Sequence, residues 1–331
     1  MILTVCLLLT NILLSWINKK EPAPRNPEAK IVLIDSLFNV AISKFNLDST
    51  WIKSIPINSN QYDSLNTVYR IKLPNDLRPA VVLLEITELF SDLPVDLISD
   101  EKAPNAETTL NILSNEKLKL QATFSVDNDI ERKHSNFAFV VTDISAIDKE
   151  TELNMYHSVI PFSVLIKPST DKDSLLRKIS EFKKSYSVLI DDGIEEDNFK
   201  LEPGLSKTRL KESVRYITWT FPSAELFVVN DKSSLFHSAI FNFIRDEFKA
   251  RDTQLYLLND FITLAHNYDE AESLLKFYLE SGIGKKGKIV FMRADVFNQL
   301  NKLLLNAKQR GTKFYSPVEL LNLNSQPAVS N

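Results

Sequence analysis

The second half of the sequence alternates short apolar runs with longer amphipathic segments, and this alternation limits the possible folds more than any other feature. From Phe137 onward the apolar runs are FAFVV, IPFSVLI, YSVLI, AELFVV, TQLYLL, KIVFM and TKFYS. Between them lie segments with apolar residues at helical spacing, such as KDSLLRKISEFKKS and ADVFNQLNKLLLNAKQRG. Strands that are apolar on both faces and alternate with helices are typical of a parallel sheet covered by helices. The pattern therefore predicts an α/β unit, and it favours an irregular seven-stranded barrel over a doubly wound open sheet.

Residues 31–127 have a different pattern, which predicts a smaller α+β domain. Helical periodicity is present in IVLIDSLFNVAISKFNL and RPAVVLLEITELFSDL, while TVYRIKLP alternates like a strand. The stretch TTLNILSNEKLKLQATFSV is typical of a β-hairpin, with Ser114 and Asn115 at its turn. No group of side chains typical of catalysis occurs in this region, and we expect a packing or recognition module.

The first residues predict an association with a membrane. The uncharged run MILTVCLLLTNILLSWI is at the short end of what a spanning helix needs, and no small-residue cleavage site follows it. We therefore expect a membrane anchor or signal segment at 1–18, followed by a proline-rich linker at 19–30. Lys19 and Lys20 favour a cytoplasmic body by the positive-inside rule, whereas a basic segment upstream of Met1 would favour the opposite side.

Composition excludes several classes of function. The chain has 39 Lys and Arg residues against 43 Asp and Glu residues, and no basic cluster is interleaved with aromatic residues. Nucleic acid is therefore not an expected partner. Neither GxGxxG nor GxxxxGK followed by Ser or Thr occurs, so the common nucleotide-binding loops are missing. Cys6 is the only cysteine, which excludes an intrachain disulfide and a thiolate metal site.

Acidic and amide side chains follow several of the apolar runs. These residues are Asp143, Asp191, Asp192, Asn230, Asp231, Asn259 and Asp260, and Ser234 follows shortly after the fourth run. The carboxyl ends of parallel strands meet at one face of an α/β fold, where ligands bind. We therefore expect these side chains to share one rim of the barrel. Alternatively, each of them caps a helix or a loop, since Asp and Asn readily accept hydrogen bonds from free backbone N–H groups.

The order of the segments resembles the divergent polysaccharide deacetylases, a branch of the NodB-like carbohydrate esterases. The segment VVTDIS is similar to the first strand-end motif of that family, with the first aspartate changed to Thr142 and the second kept as Asp143. The other similar segments, in chain order, are PFSVLIKP, YSVLIDDGIEE, LEPGLS, VNDKSS, LLND and VFMRA. The resemblance implies a NodB-like irregular (β/α)7 barrel at 136–322, with a tail at 323–331. It also implies a location in the cell envelope, membrane-anchored or secreted to the periplasm, and polysaccharide or an envelope protein as partner.

The chain departs from this family where metal ligands are expected. Asp191 and Asp231 occupy the positions of two histidines, and Arg293 replaces a later aspartate. The histidines that are present are predicted to lie before the first strand or within helices; they are His134, His157, His237 and His266. Because imidazole is the usual zinc ligand in such sites, zinc-dependent deacetylation is not expected in its usual form.

Two functions follow from these departures. In the first, the barrel is a pseudoenzyme without a cofactor that binds a glycan or an envelope protein. In the second, Asp143, Asp191 and Asp231 hold a hard divalent cation such as Mg²⁺, Ca²⁺ or Mn²⁺ for an active carbohydrate de-N-acetylase, with Asp143 as catalytic residue. We favour the pseudoenzyme, because three adjacent carboxylates repel one another and an ion pair with Arg293 would relieve that repulsion.

Residues for substrate binding are predicted at the same rim. The polar candidates are Asn230, Ser234, Asn259 and Asp260. A sugar-binding groove also needs exposed aromatic side chains near the rim, for which the candidates are Trp219, Phe221, Phe227 and Phe261. Each of these aromatic residues is alternatively part of the core.

Overall fold

The computed structural model describes residues 28–57, 65, 67–101, 107–191 and 193–326. The chain divides into two compact units, Met1–Arg132 and Lys133–Asn331. The predicted membrane segment at 1–18, most of the linker at 19–30, Asp192 and the end of the tail lie outside the described residues. Across the described ranges, no helix combines the length and the apolar character needed to span a membrane.

The described part of the first unit contains two α-helices and a five-stranded sheet. Its elements are α1 (Ile31–Ser43), β1 (Ile52–Pro56), β2 (Thr67–Pro74), α2 (Pro79–Phe90), β3 (Asp96–Glu101), β4 (Thr108–Ser114) and β5 (Lys117–Asp127). The strand order is β1-β2-β5-β4-β3, and only β2 and β5 run parallel among neighbouring strands. Both helices contribute to one apolar core with the sheet, for example Phe38 of α1 and Ile86 of α2 with Phe124 of β5.

Strands β4 and β5 form a hairpin whose turn lies one residue later than the sequence predicted. Ser114 is the last residue of β4, and its buried hydroxyl accepts the N–H of Ala29 and donates to the carbonyl of Pro94, both at 2.9 Å. The turn consists of Asn115 and Glu116, with φ of 49° and 64°. Two-residue hairpin turns of this kind require positive φ at both positions. Ser114 is excluded from the turn because its side chain is held inside the unit.

The second unit alternates strands and α-helices, except between the strands Leu255–Leu257 and Ile262–Thr263, which are joined by a short 3-10 helix. Its strands are β6 (Asn136–Thr142), β7 (Ser163–Ile166), β8 (Ser185–Ile190), β9 (Phe227–Val229), β10 (Leu255–Leu257), β11 (Ile262–Thr263), β12 (Lys288–Arg293) and β13 (Lys313–Tyr315). Its α-helices are α3 (Lys149–Tyr156), α4 (Asp173–Glu181), α5 (Lys207–Thr220), α6 (Phe241–Lys249), α7 (Tyr268–Ser281), α8 (Ala294–Gln309) and α9 (Pro317–Ser325). The prediction of alternating strands and helices is confirmed, but the sheet has eight strands. The additional strand, β11, has only two residues.

All strand pairs of this sheet are parallel, and their order is that of a curled sheet. The path is β10-β9-β8-β7-β6-β12-β11, so the first strand of the unit lies between the second and the seventh. This is the order around a barrel that is open between β10 and β11. Strand β12 occupies one edge of β6 along 137–142, and β7 and β13 therefore share the other edge. This sharing makes the sheet irregular.

Both faces of the sheet are buried, which explains why its strands read as continuous apolar runs. On β6, Phe139 and Val141 belong to the large core formed with the covering helices. Val140, between them, belongs to a separate cluster that includes Val228 of β9 and Phe291 of β12. The alternation of side chains along each strand thus separates an outer core from an inner one. The cavity described below opens above the inner core.

Candidate functional site

A cavity of about 480 Å³ lies at the carboxyl ends of the strands of the second unit. The final residues of four strands line it, namely Thr142 of β6, Ile166 of β7, Thr263 of β11 and Arg293 of β12. Its apolar floor includes Leu165, Leu189, Leu258 and Phe291. Its polar wall contains Thr142, Asp143, Ser145, Lys167, Lys172, Asn230, His266 and Arg293. The cavity lies where ligands bind in parallel α/β folds.

Asp143 lines the cavity and does not cap a helix. It precedes a short 3-10 helix, Ile144–Ala146, but its side chain makes no capping hydrogen bond. The exposed carboxylate instead accepts a hydrogen bond from the hydroxyl of Thr142 at 3.0 Å. The backbone of Asp143 is left-handed, with φ of 55° and ψ of 37°. Non-glycine residues in this conformation are uncommon and occur often at functional sites, so Asp143 remains the main acidic candidate of the cavity.

Asp191 is held in an ion pair beside the cavity. Its Oδ2 lies 3.1 Å from Nζ of Lys167, the residue that follows β7. Its Oδ1 accepts the backbone N–H of Gly193 at 2.9 Å. The side chain of Asp191 is 13% exposed and that of Lys167 is 53% exposed. Both carboxylate oxygens are therefore engaged, and Lys167 rather than Asp191 lines the cavity.

The loop after β9 contributes only one of its predicted residues to the cavity. Asn230 lines it, and its Oδ1 accepts the backbone N–H of Lys232 at 3.0 Å. Asp231 and Ser234 lie in the same loop but are not among the cavity residues. The amide of Asn230 is therefore fixed by its own loop at the edge of the cavity.

Asn259 and Asp260 belong to a short 3-10 helix, Leu258–Asp260, that connects β10 to β11. The carboxylate of Asp260 accepts the backbone N–H of Leu257 at 3.2 Å, so Asp260 stabilises this turn as the capping alternative predicted. Neither residue lines the cavity, whereas their neighbour Leu258 does. The structure thus gives no contact of Asn259 or Asp260 with the cavity.

The predicted aspartate ligands are not brought together as a metal site. Within the ranges that the structure describes, no group of three or more His, Cys, Asp and Glu side chains is placed to hold a metal ion. Asp143 alone of the predicted three lines the cavity, and Asp191 is paired with Lys167. Among the described residues, these three side chains therefore do not form the divalent-cation site that was predicted from their positions after the apolar runs.

The cavity is also lined by basic residues that were not predicted as site residues from the sequence. Lys167 and His266 lie in loops that follow β7 and β11, and Lys172 ends a short 3-10 helix after β7. The prediction that His237 and His266 lie within helices was wrong, since both are in loops. The signal that identifies Lys167 and Arg293 is the same as for the aspartates, because each lies at the carboxyl end of an apolar run.

Arg293 forms an ion pair with Asp295 and not with the predicted aspartates. Its Nε and Nη2 donate to Asp295 Oδ1 and Oδ2 at 3.0 and 3.3 Å. The hydrogen bond with Asp295 raises the pKa of the Arg293 guanidinium, and the charge of Asp143 adds to this effect. Asp295 lies in the first turn of α8, so the pair connects the end of β12 to the start of that helix.

The predicted aromatic residues are not arranged for sugar stacking at the rim. Trp219 is 74% exposed but lies on helix α5, and it does not line the cavity. Phe221 and Phe227 are buried in the outer core. Phe261 stacks on Phe291, with ring centroids 5.4 Å apart. Phe291 is therefore the aromatic side chain that faces the cavity, supported by Phe261.

Several solved structures are similar to this chain. An uncharacterized protein, ATU2773 of Agrobacterium tumefaciens C58, is 11% identical with a TM-score of 0.38, and the match covers 58% of this chain and 91% of that one. PdaA of Bacillus subtilis, a family 4 carbohydrate esterase, is 10% identical with a TM-score of 0.34, covering 58% and 82%. A structure described as T48 deacetylase with substrate is 14% identical with a TM-score of 0.33, covering 58% and 93%. No family model and no curated protein sequence matches the chain. The similar structures thus include a family 4 carbohydrate esterase and a deacetylase, and at these identities the likeness concerns the fold alone.

Proposed function

We propose that this protein is a catalytically impaired relative of the divergent polysaccharide deacetylases that binds a glycan in the cavity of its second unit. The observation that carries the proposal is the cavity itself, in which polar strand-end residues surround an apolar floor. Its volume of about 480 Å³ is in the range of small-ligand sites. The proposal includes a NodB-like (β/α)7 barrel for the second unit and a smaller α+β domain before it.

The composition of the cavity matches the chemistry of a sugar ring. A sugar presents hydroxyl groups at its edge and C–H groups on its faces, and it therefore needs both hydrogen-bonding and apolar contacts. Asp143, Ser145 and Asn230 supply acceptors and donors at the wall, while Phe291 and Leu258 supply apolar surface. A few polar groups around an apolar floor are the usual composition of a small-molecule site.

Metal-dependent deacetylation requires a divalent ion to polarise the acyl carbonyl and to activate water. Asp191 is engaged by Lys167 and Gly193, and Asp231 is not a cavity residue. Asp143 then has no second carboxylate among the cavity residues with which to hold such an ion. The chain's own residues support ligand binding and give no support to the alternative of an Asp-rich active centre.

The setting of this function is the cell envelope, where polysaccharide is abundant. The apolar run at 1–18 supports a membrane anchor, and the polar linker at 19–30 would separate it from the body of the protein. The proposal also allows an envelope protein as a partner, but it does not include nucleic acid. A reporter fused after Asn331 tests this topology, because activity of a cytoplasmic reporter alone would contradict the envelope location.

Calorimetric titration of the full chain with chitotetraose, xylotetraose and tetragalacturonate tests the function. We expect at least one of these to bind. Asp143→Asn should weaken the binding of a neutral member, because Asn tolerates the left-handed backbone but removes a charged acceptor for sugar hydroxyls. For tetragalacturonate the same change should strengthen binding, because it removes the repulsion between two carboxylates. The matched control is Asp246→Asn on the outer helix α6, which should bind like the original protein. Binding that survives Asp143→Asn unchanged would place the glycan elsewhere. Acetate release from chitotetraose that depends on Asp143 would show that catalysis is intact and would contradict the proposal.

A further inference from the structure

We infer that the cavity selects glycans that carry carboxylate groups, such as hexuronates, over neutral glycans of the same size. This inference rests on the proposed glycan-binding function. Its basis is the charge of the cavity wall, where Lys167, Lys172 and Arg293 face a single acidic residue, Asp143. The chain as a whole has a formal net charge of -4, so this excess of cations is local.

The acidic partners of these cations lie outside the cavity lining. Lys167 pairs with Asp191 at 3.1 Å, and Arg293 pairs with Asp295 at 3.0 Å. Neither Asp191 nor Asp295 lines the cavity. The carboxylates therefore hold the cationic side chains in position from behind, and the cationic side chains form the surface that a ligand meets.

Lys172 has an acidic residue near it, Glu196, but the described contacts include no ion pair between the two. Lys172 ends the short 3-10 helix Thr170–Lys172 between β7 and α4. Glu196 accepts the backbone N–H of Thr170 at 2.8 and 3.0 Å, and its pKa is lowered by a hydrogen bond from Ser169 and, to a smaller extent, by the charge of Lys172. Glu196 is likewise not a cavity residue. Each of the three cations thus has an acidic residue nearby that does not line the cavity.

The cations retain donors for a ligand. Arg293 uses Nε and Nη2 for Asp295, so its Nη1 group makes no hydrogen bond to the described residues. The side chain of Lys167 is 53% exposed, and an ammonium group has three N–H donors. Charge-assisted hydrogen bonds from such groups to a carboxylate are about twice as strong as those between neutral groups. A neutral sugar hydroxyl can also accept from these groups, but it lacks the second charge that a carboxylate brings to the contact.

The test compares tetragalacturonate with its fully methyl-esterified form, and tetraglucuronate with its methyl ester, by calorimetry on the full chain at low salt. Each pair has the same ring number and differs in charge. We expect the acidic member to bind about tenfold more tightly or better, which corresponds to one charge-assisted contact. The difference should shrink as salt is added, because a half-exposed site is screened.

Lys172→Gln should reduce the preference for the acidic member several-fold, while the control Lys276→Gln on the outer face of α7 should leave it unchanged. Equal binding of the acidic and esterified members would overturn the selectivity and leave the glycan-binding function standing. A preference that Lys172→Gln and Lys167→Gln both leave intact would place the acidic glycan outside this cavity. Failure of every acidic and neutral member to bind would overturn the selectivity and the proposed function together.

Discussion

Gly287 lies directly against Leu320, because a Cβ atom at position 287 would be 2.2 Å from Leu320 Cδ1. Leu320 is fully buried in the inner core, and it belongs to the C-terminal helix α9. Asn324 of the same helix accepts the N–H of Gly287 at 2.8 Å and donates to its carbonyl at 2.9 Å. The absence of a side chain at Gly287 therefore allows α9 to pack closely against the start of β12 and the inner core.

We expect Gly287→Ala to lower the free energy of unfolding of the second unit by about 1–3 kcal/mol, the usual cost of overpacking a core. Urea unfolding followed by circular dichroism measures the change. In the double variant Gly287→Ala with Leu320→Ala the space for the new methyl group is restored, so its effect should be smaller than the sum of the single effects. Additive effects would mean that the two residues do not compete for the same space.

The carboxyl group of Glu225 predicts a dependence of stability on pH. Burial raises the pKa of Glu225 above its ordinary value of 4.5, although its carboxylate accepts the N–H of Val318 at 3.2 Å at the start of α9. Because the folded pKa is the higher one, the fold favours the protonated acid. Its contribution to stability is fully present below the unfolded pKa and is lost as the pH rises through the folded pKa.

Glu225→Gln should therefore remove the part of the stability loss that begins just above pH 4.5. The measurement is the free energy of unfolding between about pH 4 and pH 8, the range that covers a raised carboxyl pKa. Glu280→Gln, at an exposed position of α7, is the matched control. An unchanged slope in Glu225→Gln would show that Glu225 does not titrate differently in the folded protein.

Arg132 is a predicted determinant of stability in the first unit. Its side chain is 3% exposed, and its Nη2 and Nε donate to Asp76 Oδ2 at 2.7 and 3.2 Å. Its Nη1 donates to the carbonyl of Phe45 at 2.9 Å. We expect Arg132→Lys to destabilise this unit by about 1–3 kcal/mol, because a lysine cannot satisfy both acceptors with a planar fork. Thermal unfolding measures the change in stability. The control Arg70→Lys, at an exposed position of β2, should leave the stability of the unit almost unchanged.

The arrangement of the aspartates predicts how the protein responds to divalent ions. We expect calorimetric titration with Zn²⁺, Mn²⁺, Mg²⁺ and Ca²⁺ to show no binding that depends on Asp143, because the other two predicted ligands do not line the cavity with it. Addition of a chelator should likewise leave thermal stability unchanged. Tight binding of any of these ions that disappears in Asp143→Asn would refute this and would favour an active metal-dependent enzyme.

Periodicity in the sequence predicted the strands of the second unit well, since each strand with three or more residues there coincides with an apolar run. In the first unit it did not predict β1 or β3. It missed β11, because Ile262 and Thr263 are too short a segment to show any periodicity. The site was harder to predict. Asp143 and Asp260 both follow apolar runs, yet Asp260 caps a turn and Asp143 does not. Whether an aspartate at a strand end caps a turn or lines the cavity depends on its backbone φ and on neighbouring side chains. Residue type alone does not determine it.

Within the part of the chain that the structure describes, the gap between β10 and β11 leaves one edge of each of these strands without a partner in the sheet. Unpaired edges can template pairing with a second chain, which leads to aggregation. The strands at this gap have only three and two residues, so each offers few free N–H and C=O groups to another molecule. The shortness of these two strands therefore limits edge-to-edge pairing at the open side of the sheet, and lengthening either of them by mutation would remove that protection.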